Sequence, residues 1–546
     1  MVGFRANLHR LLAPLALFAA AVARAPAQQP GATTVPGLGT LTFPTSTLVS
    51  AAQEAFIHGV LLLHLFHYDE SADAFRQAER LDSTFALAYW GEALTYTHPV
   101  WNEQDSAAAR VALAKLGPTP AARAAKAATA RERAYLDAVE VLYGEGPKAR
   151  RDTLYSLAMA KLVTMFPGDD EARLFYALSL LGLNQGVRDI PTYLRAAAIA
   201  ESVLARNPAH PGAAHYWIHG MDDPEHAAQA LPAARALGAI APDAAHAQHM
   251  TSHIYVALGL WDDVVRANER AKHGRPWSCG HVNLFLDYAY VEQGRIAEAR
   301  GLLSGCRDQA PKMAAMMHPG PRDIDPDDYS FITMWSRFLL DTEDWTGDVA
   351  RWSIEPGDLP APRLSYWFTR GFGAARQGNV AAARAALADF ERARQQIATD
   401  IANDGAEATP EEREFLTRAE VLRLELVGLI VAGAGERGAG LDTLRRAAVV
   451  EDQMAYAFGP PFVNEPSREL LGEELLRAGK AAEARRAYEA ALKRTPGRAS
   501  VLLGLGRAAR ALGDRAGARR AYGELAAIWH GADADLPGLA EARAAR

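Results

Sequence analysis

Only two cysteines occur in the 546 residues, Cys279 and Cys306, so a Cys-rich zinc site or a disulfide framework is excluded and one bridge is the limit. A cationic surplus is also missing: 58 Lys and Arg face 65 Asp and Glu, a formal charge of −7. Phosphate binding needs clustered positive charge, so no nucleic acid is expected as a partner. Gly (44) and Pro (30) are too few for a collagenous or low-complexity chain. Past Ala23 no apolar run approaches the roughly 20 residues of a membrane span. No P-loop, G-x-S-x-G elbow or GxGxxG with an acidic partner occurs, so nucleotide binding and serine hydrolysis have no positive support. What is present is ordinary globular composition, 49% apolar and 23% charged. Length alone would divide it into about three or four domains.

The first residues read as a targeting segment. Arg5, His9 and Arg10 precede an apolar run from Leu11 to Ala23, and small residues follow in A-x-A spacing at Ala23, Ala25 and Ala27. That order is a secretory signal peptide, here 1–27, and implies a periplasmic or extracellular protein. Its removal takes three Arg and no acid, moving the charge from −7 to −10. Residues 28–50 are rich in Gly, Pro and Thr and read as an extended lead-in.

From about Ala51 a helical pattern repeats. Ala484-Arg485-Arg486-Ala487-Tyr488 returns as Ala518-Arg519-Arg520-Ala521-Tyr522, an offset of 34. Leu471, Gly472 and Gly479 return at Leu505, Gly506 and Gly513 with the same offset. Looser copies start at Phe56, Gly371, Gly259 and Gly294. A small residue lets two helices approach, a second glycine breaks the chain between them, and alanines sit at the crossing. The period and these positions resemble the tetratricopeptide repeat (TPR). The expected fold is an all-α, right-handed TPR-type α-solenoid, with a helical region over 51–205, a His-rich region over 206–310, middle repeats over 311–460 and a C-terminal pair over 461–546. Stretches 102–150 and 311–360 follow the period less well. At 34 residues per unit the array holds at most about fifteen repeats and is expected to be quasi-linear, each unit touching its neighbours.

Other segments carry a closer resemblance. Ala88-Tyr89-Trp90-Gly91-Glu92-Ala93, His98-Pro99-Val100-Trp101-Asn102-Glu103-Gln104-Asp105 and Arg131-Glu132-Arg133-Ala134-Tyr135 are not repeat residues. With His215-Tyr216-Trp217-Ile218-His219, Asp222-Asp223-Pro224-Glu225-His226 and His249-Met250-Thr251-Ser252-His253, they make the chain resemble a group of exported bacterial TPR proteins with paired HxxxH motifs. The resemblance covers nearly the whole mature chain. It implies a fold and a compartment but no reaction. An acidic residue is expected three positions after His281, where this chain has Leu284.

Nine of the sixteen histidines lie between 210 and 281. His215 and His219, and again His249 and His253, are i, i+4 pairs, each on one helix face. The two pairs are offset by 34, one repeat, so they fall on equivalent faces of neighbouring first helices. His246 joins the second pair's face, and His281, 35 residues after His246, takes the matching place one repeat on. Convergent imidazoles suit a divalent transition metal such as Zn, Cu or Fe. Asp222, Asp223, Glu225 and His226, in the turn after the first pair, are candidates to ligate or to orient ligands. His215 to His219 lacks the glutamate of H-E-x-x-H, so this is not a zincin. A structural polar network across helices would use the same residues. His58, His64 and His67 read as packing or surface residues, and Trp101 as an anchor after a helix end at His98-Pro99.

Cys279 and Cys306 are about equidistant from a turn near Gly294, which permits either a bridge or two buried thiols. Between 468 and 523 stand 13 basic residues against 6 acids, most on outward helical positions. Two functions remain: an exported scaffold whose concave groove binds a protein or peptide, and a metal-dependent enzyme, hydrolytic or redox, built on the histidines. No catalytic residue is identifiable, and whether the chain is an enzyme stays open.

Overall fold

A computed structural model describes residues 31–184, 187–273, 279–314, 326–357, 359–403, 407–456 and 458–544. The expected signal peptide, 1–27, lies outside the described residues. From Ser50 onward the described chain is helices laid down as antiparallel pairs, a TPR-type α-solenoid. The only strands among the described residues are two short antiparallel hairpins, Thr33–Val35 with Gly39–Leu41 and Thr97–His98 with Glu103–Gln104.

The repeat chemistry works as the spacing predicts. Gly479 and Gly513 end their first helices at φ 75° and 74°, left-handed backbone that glycine adopts without steric cost. A Cβ at Gly472 would stand 2.7 Å from the Tyr488 ring, and one at Gly506 would stand 2.6 Å from Tyr522. Glycine at the crossing and a tyrosine from the second helix are therefore one packing unit, recurring at the 34-residue offset. Each pair buries its inner faces on the next pair, so the core runs along the array. Where the period weakens, the structure is irregular: helices Ser106–Leu116 and Pro120–Ala124 are short, and helix Pro326–Thr342 is followed by a single 3-10 turn, Val349–Arg351, before Pro360–Arg376.

Two features depart from a linear array behind an extended lead-in. The lead-in folds as the first hairpin and docks far along the chain, where Thr40 N–H donates to the Ala209 carbonyl at 2.9 Å and the Asn207 side chain donates to the Thr40 carbonyl at 2.8 Å. The last repeats also reach back to the His-rich ones. Trp261 Nε1 donates to the Gly497 carbonyl at 2.8 Å, and Trp529 Nε1 donates to the Glu292 carbonyl at 3.1 Å. Superhelical rotation accumulates from pair to pair until successive turns touch, which nearest-neighbour pattern reading does not capture. Cys279 and Cys306 are disulfide-bonded, with Cα atoms 5.1 Å apart, and tie the start of helix His281–Glu292 to helix Ile296–Ala314.

Candidate metal centre

Three consecutive first helices carry the candidate ligands: Pro211–Gly220, Ala245–Ala257 and His281–Glu292. The middle one is buried from Ala247 to Ala257, which explains its lack of a polar stripe. His249 and His253 on it are buried, and His246 at its start is partly exposed.

The six histidines assemble as two triads rather than one patch. His215, His219 and His246 form one, and His249, His253 and His281 the other; within each triad the ligand nitrogens lie within 4.8 Å of one another. His246 therefore pairs with the preceding helix, while His281 joins the second HxxxH pair, its ring centroid 4.7 Å from that of His249. The two triads adjoin through His246 and His249, whose ring centroids are 6.5 Å apart. Both open on one cavity of about 430 Å³, lined also by Trp101, Arg188, Asp222 and Phe458.

The hydrogen bonds fix which nitrogen of each ring is free. His215 Nδ1 donates to the His64 carbonyl at 2.7 Å. His253 Nδ1 donates to Asp222 Oδ2 at 2.6 Å. His249 Nδ1 meets Asn268 Oδ1 at 2.7 Å, and since the Asn268 amide nitrogen donates to the Val264 carbonyl, that contact is also a donation from the ring. With Nδ1 carrying the proton, the Nε2 atoms of His215, His249 and, in its singly protonated form, His253 each present a lone pair. The Nε2 atoms of His249 and His253 lie 3.2 Å apart, and those of His215 and His219 lie 3.1 Å apart. The two lone pairs of His249 and His253 cannot hydrogen-bond to each other at that distance, whereas His219 Nε2–H can donate to the His215 lone pair. His246 Nε2 is buried with no partner. Burial holds these rings neutral: desolvation lowers His215 to about 3 and pushes His219, His246 and His249 well below the ordinary imidazole value, with neighbouring imidazoles adding to the shift.

A tetrahedral ion with Zn–N distances of 2.0–2.1 Å holds two nitrogens about 3.3 Å apart. The observed spacings come close to this, so the donor set fits an imidazole-bound transition metal. The tethered Nδ1 atoms supply the outer partners such ligands require.

The four orienting candidates divide. Asp222 holds His253, and its other oxygen, Oδ1, is buried without a partner beside the cavity. Asp223 instead closes its own loop, accepting from His226 Nδ1 at 2.8 Å and from the backbone of Glu225 and His226, and lies 3.5 Å from Arg188. Glu225 accepts from the Tyr456 hydroxyl at 2.7 Å and points away from the histidines.

Other expectations are corrected. Trp101 is 47% exposed and anchors no core; it ends the 3-10 turn Pro99–Trp101 and sets its ring 5.9 Å from that of His246 as a cavity wall. His58 is exposed and His67 partly buried, as expected, but His64 is a fully buried polar centre. Its Nε2 meets Glu171 Oε2 at 2.7 Å, and His210 Nε2 meets Glu171 Oε1 at 2.8 Å. His64 Nδ1 pairs with the Tyr216 hydroxyl at 2.8 Å, and His210 Nδ1 caps helix Pro211–Gly220 by accepting from Ala213 N–H. This group stands directly behind the first triad, since the His64 carbonyl tethers His215. Phe66, at φ 58°, packs its ring 4.4 Å from His215. No sequence signal joins His64, Asn268 or Arg188 to the HxxxH pairs, because the first two lie on other helices and Arg188 in the loop before helix Ile190–Leu204.

No family model and no curated protein matches the chain. Solved structures similar to it include a human IFIT1 dimer with m7Gppp-AAAA, at 12% identity over 90% of this chain and 92% of that one, with TM-score 0.34. Others are the Cut9–Hcn1 hetero-tetramer of APC/C, at 12% identity over 90% and 96% with TM-score 0.29, and yeast Tom70, at 11% identity over 90% and 94% with TM-score 0.28. The fold rests on the chain's own paired helices and turn glycines, which make it a TPR-type α-solenoid carrying two histidine triads on one cavity.

Proposed function

We propose that this protein is an exported TPR scaffold that holds transition-metal ions on its two histidine triads. The observation that supports this best is the facing pair of Nε2 lone pairs on His249 and His253, each ring oriented by a bond from Nδ1. Two Nε2 lone pairs in that arrangement repel until a cation lies between them. His281 completes the second set, and His215, His219 and His246 form the first. Zn, Cu or Fe suit all-imidazole donors. Three nitrogens leave a coordination position open toward the cavity, where a bound water would serve a hydrolytic or redox enzyme. Asp222 Oδ1 stands at that cavity as an acceptor.

Export is supported by the charged, apolar and small-residue order of 1–27 and by the Cys279–Cys306 bridge, since disulfides persist in oxidising compartments. As a scaffold, the array would offer its groove to a protein or peptide.

Metal analysis of the full chain purified without a His tag tests the centre. Stoichiometric Zn, Cu or Fe, reduced by the second triad's share in His249→Ala/His253→Ala and lost altogether when His215→Ala/His219→Ala is added, is the expected result. Absence of metal after soaking with each ion would overturn it. N-terminal sequencing of protein recovered outside the cytoplasm checks cleavage near Ala27.

A further inference from the structure

A second polar cleft, of about 990 Å³, opens between helix Pro326–Thr342 and the C-terminal repeats. Its floor carries Glu292, Asp341, Glu465, Glu469 and Glu473. Glu465, Glu469 and Glu473 bring carboxylate oxygens within 4.8 Å of one another.

Two guanidinium groups pair with four of these five acids, all but Glu465. Arg498, wholly buried, bonds Glu292 at 2.7 Å and Asp341 and Glu469 at 2.5 Å each. Arg376 pairs with Glu473. The floor therefore keeps more negative than positive charge. An independent observation marks where the deficit faces. Asp341, on a different helix from Glu469 and Glu473, has a side chain only 5% exposed, and its Oδ2 has no hydrogen-bond partner. Burial and neighbouring carboxylates also push Glu465 well above the ordinary range and Glu292 up to about 7. Buried charge of one sign is costly unless it is paired.

The missing partner is an organic cation rather than a bare metal ion. Calcium takes six to eight oxygen ligands, whereas here Arg498 and Arg376 already occupy the carboxylates and bring positive charge to the centre. An ammonium or guanidinium donates hydrogen bonds to single oxygens and needs no closed shell. Its alkyl stem requires apolar walls, which Leu340, Leu503 and Trp529 supply. The cavity exceeds the volume of one side chain, and although Arg300, Arg477 and Arg507 also line it, its nine acids outnumber its five arginines. We propose that this cleft binds a basic peptide segment and seats a Lys or Arg side chain against Asp341 and Glu465. This rests on the scaffold part of the function above and is independent of the metal.

Fluorescence anisotropy of the full chain with three labelled peptides of equal length, rich in Arg/Lys, Gln or Glu, tests it. The basic peptide should bind, weaken steeply with salt, and lose about tenfold or more in affinity in Glu465→Gln/Asp341→Asn. Both changes keep the side-chain shape and remove a carboxyl group that would receive the cation, and circular dichroism with melting checks the fold. Glu436→Gln, an exposed carboxylate outside the cleft, should leave binding unchanged. Equal binding of basic and Gln peptides, or equal effects of the cleft and Glu436 variants, would overturn the charge assignment and leave a scaffold standing. Binding of none of the three would overturn both. Displacement of the basic peptide by stoichiometric calcium would reassign the cleft to a metal and overturn the proposal.

Discussion

His64, Glu171 and His210 form one histidine group, wholly buried, and His249, His253 and the exposed His281 form another two helices along. In the first, the ring nitrogens and the carboxylate oxygens are all engaged: Glu171 accepts from both imidazoles, and the far nitrogens meet Tyr216 and Ala213. In the second, the Nδ1 atoms of His249 and His253 are engaged while their Nε2 atoms face each other. Both groups have ligand atoms within 4.8 Å of one another, so proximity does not separate them. Satisfaction does. A saturated cluster holds the fold together; a cluster with aligned, unspent lone pairs is suited to a cation.

The largest effect that would sharpen this contrast is on stability. Glu171→Gln leaves at least one buried imidazole N–H without its acceptor and should cost about 3–5 kcal/mol. Urea unfolding of the chelated protein measures this, and a cost below about 1 kcal/mol would break the assignment of Glu171 as a structural hub. The same group gives an acid limit. Burial alone would raise Glu171, but His210 and His64 outweigh it and hold its carboxyl at about 2, against an ordinary 4.5. A depressed carboxyl stabilises fully above its unfolded value, so this contribution is complete above pH 4.5 and fades as the pH falls toward 2. Burial also lowers His64, so any protonation of that ring in acid acts in the same direction. Melting temperature followed from pH 6 to 2 should fall more steeply for the parent chain than for Glu171→Gln.

The second group should respond to metal instead. Chelation should lower the melting temperature of the parent, because at 100 times the dissociation constant a bound ligand contributes about 2.7 kcal/mol. The shift should be smaller in His249→Ala/His253→Ala, which keeps only the first triad, and should vanish when His215→Ala/His219→Ala is added; equal shifts in the parent and the double variant would break the comparison from the other side. Smaller again is Asp222→Asn, which exchanges a carboxylate for an amide at His253 Nδ1. It should weaken metal binding about 10- to 100-fold in competition with a chromogenic chelator while sparing the fold. Smallest is Trp101→Ala. Half-exposed and outside the core, it should shift stability by no more than about 0.5 kcal/mol and change how fast a chelator strips the ion.

Much of this was readable in one dimension. The Gly472–Tyr488 and Gly506–Tyr522 contacts follow from a 34-residue offset, since each involves helices adjacent in the chain. The HxxxH pairs were visible for the same reason: residues four apart share a helix face whatever surrounds it. The division into two triads was not. His246 lies three residues from His249 and on its face, yet it joins His215 and His219 because the preceding helix packs on that side. His64 looked like a packing residue because its partners, Glu171 and Tyr216, stand 107 and 152 residues away. Arg498 is one of 13 basic residues in a stretch that looks solvated, but it is buried among carboxylates from three other helices.

The scarcity of cysteine, the repeat period and the paired histidines were determined by the sequence alone, because each depends on residue type and local spacing. Tertiary structure decided which nitrogens are spent, which carboxylates lack a partner, and where successive turns of the array touch. Those outcomes depend on the rotation between helix pairs and on hydrogen bonds between residues more than a hundred positions apart, and no local pattern encodes either.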